Sequence, residues 1–296
     1  MKLFIAGATG FVGGHLTTEL LRRGHQLVLL AHSRGHGSQP GVSYVTGDLT
    51  EPDSYATALT GCDAAINLVG IIREFPARGI TFERLHLQAT AALVTACREA
   101  GVLRYLQMSA LGTRPEALSA YHRTKWQAEE LVRGSGLAWT IFRPSLIFGP
   151  QDAFVNMLAD NLRRLPVMPV FGDGNYRLQP IHGDDVARCF AEALERPETA
   201  GRTYELCGPD RLTYRELLHA IAEALGKAHP WKPALPLAVM QPLIKLLQRF
   251  SAFPITSDQL QMLLEENICN GCWRETFRFE PTLFRAGIKA YLTRTP

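Results

Sequence analysis

Tyr121 and Lys125 stand four residues apart, a spacing that puts two side chains on one face of a helix. A free phenol titrates at about 10, too high for a base at neutral pH. A neighbouring ammonium would stabilise the phenolate and lower that value. Tyr121 could then take a proton from an alcohol or give one to a carbonyl. Ser109 lies twelve residues earlier, where the apolar run Arg104 to Met108 reads as a strand. Its hydroxyl could bond the reacting oxygen and orient it. Interconverting a carbonyl and an alcohol also needs a hydride carrier, and the start of the chain offers a place for one.

Gly7-Ala8-Thr9-Gly10-Phe11-Val12-Gly13 follows the apolar run Leu3 to Ala6 and opens into a helical pattern from Phe11 to Arg23, closed by Gly24. Glycines on a strand-to-helix turn let backbone amides approach a pyrophosphate at the helix N-terminus. Gly7 suits the tight turn, Gly10 the close approach to phosphate, and Gly13 the packing of helix on strand. A dinucleotide is expected there, with Lys125 also holding the nicotinamide ribose. An NAD-selective site places an acid at the end of the second strand, about twenty residues on. Here Gln26 to Ala31 ends in His32-Ser33-Arg34. Arg34 can pair with a 2′-phosphate and His32 and Ser33 can add donors, so NADP(H) is favoured over NAD(H). Asp48 ends the third strand, Ser43 to Thr46, and could contact the adenine amino group.

These groups require a scaffold that gathers strand ends. Strand-like runs at Ala64 to Val69, Arg104 to Met108 and Trp139 to Arg143 alternate with helical patterns at Phe82 to Ala100 and Tyr121 to Arg133. Alternation of this kind implies an α/β fold with a doubly wound parallel sheet. A helix is expected near Thr50, with Thr50 and Asp53 forming a capping box. After about Pro150 the pattern changes: a helix from Ala153 to Leu165, a strand from Thr203 to Cys207, a helix capped by Thr213 and Glu216, then proline-broken helix and loop. The expected division is a dinucleotide-binding domain over 1–150, rejoined by 181–207. A smaller substrate-covering domain takes 151–180 and 208–296.

The 296 residues carry a net charge of +3, with 46% hydrophobic and 20% charged residues, which argues for a soluble globular chain and against nucleic acid as a partner. Neither a signal peptide nor a membrane-spanning run of about 18 apolar residues is read from the sequence. Four of the six cysteines sit in apolar runs and read as small core residues, which suits a reducing cytoplasm. Cys269 and Cys272 have the spacing of a metal or redox pair but lack a second pair of ligands, so no metal site is expected. Asp184-Asp185 reads as a helix N-terminal cap, and His86 as a core histidine. The hydrophobic stretch Ala234 to Leu247 reads as core or subunit-interface packing in a homo-oligomer. A lid over an apolar substrate and a membrane-surface patch are the alternatives.

Gly7 to Gly13, Gly47-Asp48-Leu49, Ser109 and Tyr121-His122-Arg123-Thr124-Lys125 together resemble, in order, the motifs of the short-chain dehydrogenase/reductase superfamily, across most of the chain. Arg143 to Pro150, Gly172-Asp173-Gly174 with Arg177, and Pro180 to Ala187 resemble its extended and atypical branches. Asn67 to Ile72, His86, and Asp258 to Leu263 resemble a subgroup that includes bacterial relatives of the nucleotide-binding accessory subunit of respiratory complex I.

The resemblance implies cofactor contacts from Thr9, Phe11, Val12, Leu49, Leu68, Val69 and Gly70, and an anionic substrate group at Arg177. It also implies tightly held NADP(H), often without demonstrated turnover. Ser109 is followed by Ala110-Leu111-Gly112, not the acidic pair of sugar-nucleotide dehydratases, so dehydration is not expected. The complex I relatives often lose the tyrosine that this chain keeps. The leading expectation is an NAD(P)-dependent oxidoreductase or epimerase acting on a small carbonyl or secondary alcohol in the cytoplasm. A non-catalytic NADP(H)-binding accessory or sensor subunit, peripheral to an inner-membrane complex, is the first alternative. A nucleotide-sugar epimerase is the second.

Overall fold

The structure is a computed structural model that describes residues 1–33, 37, 39–227, 230–250, 253 and 255–293. Its first half runs β1 (Lys2–Ala6), α1 (Phe11–Arg22), β2 (Gln26–Ala31), β3 (Val42–Thr46), α2 (Ala56–Leu59), β4 (Ala64–Asn67), α3 (Ala89–Glu99), β5 (Arg104–Met108), α4 (Ala120–Arg133) and β6 (Ala138–Pro144). Short strands β7 (Ile147–Phe148), β8 (Val170–Phe171), β9 (Arg177–Leu178) and β10 (Ile181–His182) follow, with α5 (Ala153–Arg164) and α6 (Gly183–Glu195) among them. The chain ends with β11 (Arg202–Leu206), β12 (Leu212–Thr213), α7 (Tyr214–Ala224), β13 (Ala234–Leu235), α8 (Leu237–Leu247), α9 (Ser257–Leu264), α10 (Trp273–Phe277) and α11 (Phe284–Leu292).

Seven strands form one parallel sheet in the order β11-β6-β5-β4-β1-β2-β3. The inner strands β1, β2 and β4 read as apolar runs because both faces are covered, whereas the edge strands β3 and β11 carry polar, partly exposed residues. Alternate residues of β1 feed opposite sides: Leu3 and Ile5 join a core with α1 and α6, while Phe4 and Ala6 join one with Leu93, Tyr105 and Ile141. Strand order reverses between β1 and β4, and ligands bind in the crevice beyond such a switch point. A third core gathers Leu158, Leu162, Leu217, Ile221, Phe284 and Ile288 from α5, α7 and α11, away from the sheet.

Four expectations need correction. Thr50 makes no capping box, because its hydroxyl and amide both bond the Asp48 carboxylate (2.8 Å each), and a short 3-10 turn at Pro52–Ser54 follows. The α6 cap is His182, whose Nδ1 accepts the Asp184 amide (3.2 Å), while Asp184 and Asp185 occupy the first turn. Cys207 is not merely a small core residue, for it forms a disulfide with Cys269. That link and the Trp273 Nε1 bond to the Cys207 carbonyl (3.1 Å) fasten the segment before α10 to the end of β11. Finally, α8 does not pack as core: of its residues only Ile244 is buried.

Candidate functional site

The crevice between β1 and β4 is built around glycines that no other residue can replace without movement. Gly7 has φ +81°, and a side chain there would meet the Leu68 carbonyl carbon and Val69 amide at 3.0 Å. The ends of β1 and β4 are thereby held in contact, which brings Leu68, Val69 and Gly70 beside the turn. A Cβ on Gly13 would lie 2.4 Å from the carbonyl oxygens of both Gly7 and Ala8. The space that Gly13 preserves is therefore the turn's own backbone, wound tightly under the helix.

Gly10 is the N-cap of α1 and supplies no side-chain cap, so the first amides of the helix keep their donors available. Thr9 and Gly10 are exposed and Val12 is buried in the core. Phe11 lies against Gly149, with its ring edge-on to His15 at 4.9 Å. This cradle, open on its outer side and barred to any Cβ on its inner side, fits a pyrophosphate.

His32 and Ser33 are exposed just past β2, while Arg34 lies outside the described residues. Nearby, Asp48 accepts bonds from Thr50 and pairs with Arg84 Nη2 at 3.1 Å. Burial pushes its carboxyl up, but the Thr50 bonds and the Arg84 and His32 charges hold it below the usual range. Leu49 is buried, and its carbonyl accepts the Tyr55 hydroxyl (3.1 Å). Arg84 was absent from the sequence expectations. It adds a cation where an adenosine would end, and nothing in its spacing from Asp48 announces the pairing.

Ser109, Tyr121 and Lys125 converge at the carboxyl edge of β4 and β5. Lys125 is buried, and its Nζ donates to the carbonyls of Val69 (3.2 Å) and Met108 (3.3 Å), the residue before Ser109. A Cβ on Gly70 would stand 2.9 Å from that Nζ. Ser109 donates its amide to the Phe142 carbonyl (2.7 Å), and its hydroxyl meets Thr113 Oγ1 at 3.4 Å.

Tyr121 packs with Phe82 and Ala110, against Ile71 and Met262. The rings of Phe82, His86 and His122 meet it edge-on at 5.2–5.8 Å. Among the described residues no group hydrogen-bonds its hydroxyl. The chain around Glu83–Gln88 is wound as a π-helix ahead of α3, and this winding carries His86 into the site. His86 is buried, accepts the Ile71 amide on Nε2 (3.2 Å) and shares a bond with Thr124 Oγ1 through Nδ1 (2.9 Å). Burial, then the Lys125 charge, push it down to about 2, so it stays neutral.

The expected lowering of the tyrosine is overturned. Burial alone pushes Tyr121 up to about 12, and the nearby Lys125 ammonium does not offset it. The phenol is protonated at neutral pH and is poised as an acid before it is poised as a base. Lys125 is pushed down to about 8 by burial, against a small opposing pull from Glu129. A lysine with a depressed folded pKa costs stability below that pKa, and the cost fades as pH rises toward the unfolded value. Lys125→Met should therefore raise the melting temperature of the cofactor-free protein most at pH 7, with the gain shrinking between pH 8 and 10. Thermal melts of both proteins across that range test it, and a gain that does not change with pH would contradict the buried charge.

Arg177 is not drawn into this group. It sits on β9, half exposed, with its guanidinium paired to Glu266 (2.6 and 3.0 Å). His122, missed in the sequence, is buried beside Tyr121 with Nδ1 lacking a hydrogen bond and Glu265 at 3.9 Å.

Comparison with known proteins gives two family matches: an NAD(P)H-binding model over residues 7–197 and an RmlD substrate-binding-domain model over residues 112–294. Subunit 9 of the NADH dehydrogenase [ubiquinone] 1 alpha subcomplex, mitochondrial, from Arabidopsis thaliana is 33% identical over 226 residues, 72% of this chain and 55% of that protein. The chain thus spans little more than half the length of that relative. A ceramide reductase from Caulobacter vibrioides is 30% identical over 225 residues, 75% of this chain and 70% of that one. A dTDP-glucose 4,6-dehydratase from Streptomyces venezuelae, solved with NAD and TYD bound, superposes with a TM-score of 0.75 over 99% of this chain and 96% of that chain. Its identity is 21%, so it speaks for the fold alone.

Proposed function

From its place in the NAD(P)H-binding short-chain dehydrogenase/reductase superfamily, to whose extended, epimerase/dehydratase-like branch the chain belongs, we propose that it is an NADP(H)-dependent oxidoreductase that reduces a carbonyl. The observation that carries this reading is Tyr121, a protonated phenol with no hydrogen-bond partner among the described residues, facing apolar and aromatic neighbours beside Lys125. When bound, the nicotinamide would supply hydride to the carbonyl carbon. Tyr121 gives its proton to the carbonyl oxygen. Ser109 holds that oxygen in line. Lys125 would bind the ribose hydroxyls in place of its two carbonyl partners, and its charge would stabilise the phenolate that remains. The amides after Gly10 would hold the pyrophosphate, with His32 and Ser33, and by sequence Arg34, as the residues to take the 2′-phosphate. Leu68, Val69 and Gly70 run from the Gly7 turn to the Lys125 amine.

The ceramide reductase among its relatives supports the reductive direction. The mitochondrial subunits among them support a second reading, in which the nucleotide is structural and the chain docks on a membrane complex. An epimerase of nucleotide sugars is less well supported, because Arg177 is committed to Glu266. The direct test is to denature freshly purified protein and identify the released nucleotide by mass spectrometry. NADP(H) supports this reading. NAD(H) would overturn the selectivity, and no dinucleotide, even after incubation with both, would overturn the function.

A further inference from the structure

The surface of α8 carries a second functional signal. Val239, Leu243, Leu246 and Phe250 are 60%, 41%, 53% and 54% exposed. Their spacing (i, i+4, i+7, i+11) lines them along one side of the helix and its continuation. A contiguous bare apolar stripe of this kind marks a contact surface more often than a random exposed leucine does.

Charge supplies the second observation. Asp and Glu number 28 in 296 residues, yet none occurs between Glu223 and Asp258. Lys227, Lys232, Lys245 and Arg249 lie in that interval, and Lys245 and Arg249 are exposed on α8 and just beyond it. From these two features we infer that α8 lies in the headgroup region of an anionic phospholipid bilayer, with its apolar stripe inserted and Lys245 and Arg249 on the lipid phosphates.

A second copy of the chain fits worse. A two-fold contact would set the same basic residues against themselves, with no acid in the stretch between Glu223 and Asp258 to offset them. At 11 residues α8 is too short to span a bilayer, so the inferred contact is with its surface.

The position of α8 gives the docking a purpose. Arg73, in the loop after β4, bonds the carbonyls of Phe253 (2.6 Å) and Phe250 (3.3 Å). In α9, which packs against α8, Asp258 accepts the Ala120 amide (3.3 Å) at the start of α4, and Met262 packs at the Tyr121 cluster. Docking would thus set the mouth of the tyrosine site at the lipid interface. The inference itself stands on the surface of α8 and does not require turnover.

Flotation of the full-length protein with phosphatidylcholine vesicles, with and without roughly one-third phosphatidylglycerol, tests it. Binding to the anionic vesicles should exceed binding to the neutral ones by about tenfold at low salt and weaken as salt rises. Leu243→Glu with Leu246→Glu should abolish it. Lys245→Glu with Arg249→Glu should erase the preference for anionic lipid. Both double variants alter exposed side chains and should keep the wild-type melting temperature and NADP(H) affinity. Equal binding to both vesicle types, or undiminished binding by the leucine variant, overturns the inference. So does a wild-type dimer that the leucine variant dissolves in the absence of any vesicle binding.

Discussion

Tyr121→Phe should lower the rate of NADPH-dependent carbonyl reduction by about a thousandfold while leaving NADPH affinity and the melting temperature nearly unchanged. General acid catalysis contributes about 10² to 10⁴ in rate, and the substitution deletes the proton donor outright. The fold should not notice. The ring keeps its edge-on contacts with Phe82, His86 and His122, and among the described residues the lost hydroxyl leaves no group without a partner. Turnover with whichever carbonyl substrate the wild type accepts, measured beside NADPH fluorescence titration, separates chemistry from binding. An unchanged rate would remove Tyr121 from the mechanism. A parallel loss of affinity would make it a binding residue.

The second large effect belongs to the turn. Gly13→Ala places a methyl group 2.4 Å from two carbonyl oxygens, so the loop from Gly7 to Ala8 has to open. Overpacking of this order costs about 1–3 kcal/mol, and displacement of a binding frame by about 1 Å can cost roughly a hundredfold in its action. NADPH affinity should fall by about that factor, with a lower melting temperature. Gly14→Ala is the control. Nothing lies within 4 Å of its added carbon, and alanine in a helix is favoured over glycine by about 1 kcal/mol. That variant should be as stable as the wild type or more so, with unchanged affinity. Equal behaviour of the two variants would contradict the close-packed turn.

The parts of this molecule visible in its sequence are those set by local period. Leu3 to Ala6 followed by Gly7 to Gly13 announces a buried strand, a turn and a helix, and Gln26–Ala31 and Arg104–Met108 fall where their apolar runs place them. Tyr121 and Lys125 share one helix face by spacing alone. The parts that stayed hidden depend on neighbours distant in the chain. Nothing near Asp48 foretells that Arg84 will reach it, and Thr50 turns to the same carboxylate instead of capping a helix. The link from Cys207 to Cys269 spans 62 positions. The tyrosine pKa went the wrong way because spacing shows that Lys125 shares its helix face but not how deeply the phenol is buried. Hydrophobicity from Ala234 to Leu247 suggested packing in the core or at a subunit interface, and the core half of that reading fails. Whether an apolar helix is covered is decided by what packs on it, and α8 offers only Ile244 to the interior.

A crystal structure of the protein with NADPH tests the central claim most directly. The account predicts the pyrophosphate on the amides that follow Gly10 and the Lys125 amine moved from the Val69 and Met108 carbonyls to the ribose. The nicotinamide ring would then face the Tyr121 hydroxyl across a gap that a carbonyl can fill. A nicotinamide directed away from Tyr121, with Lys125 still bound to both carbonyls, would contradict it.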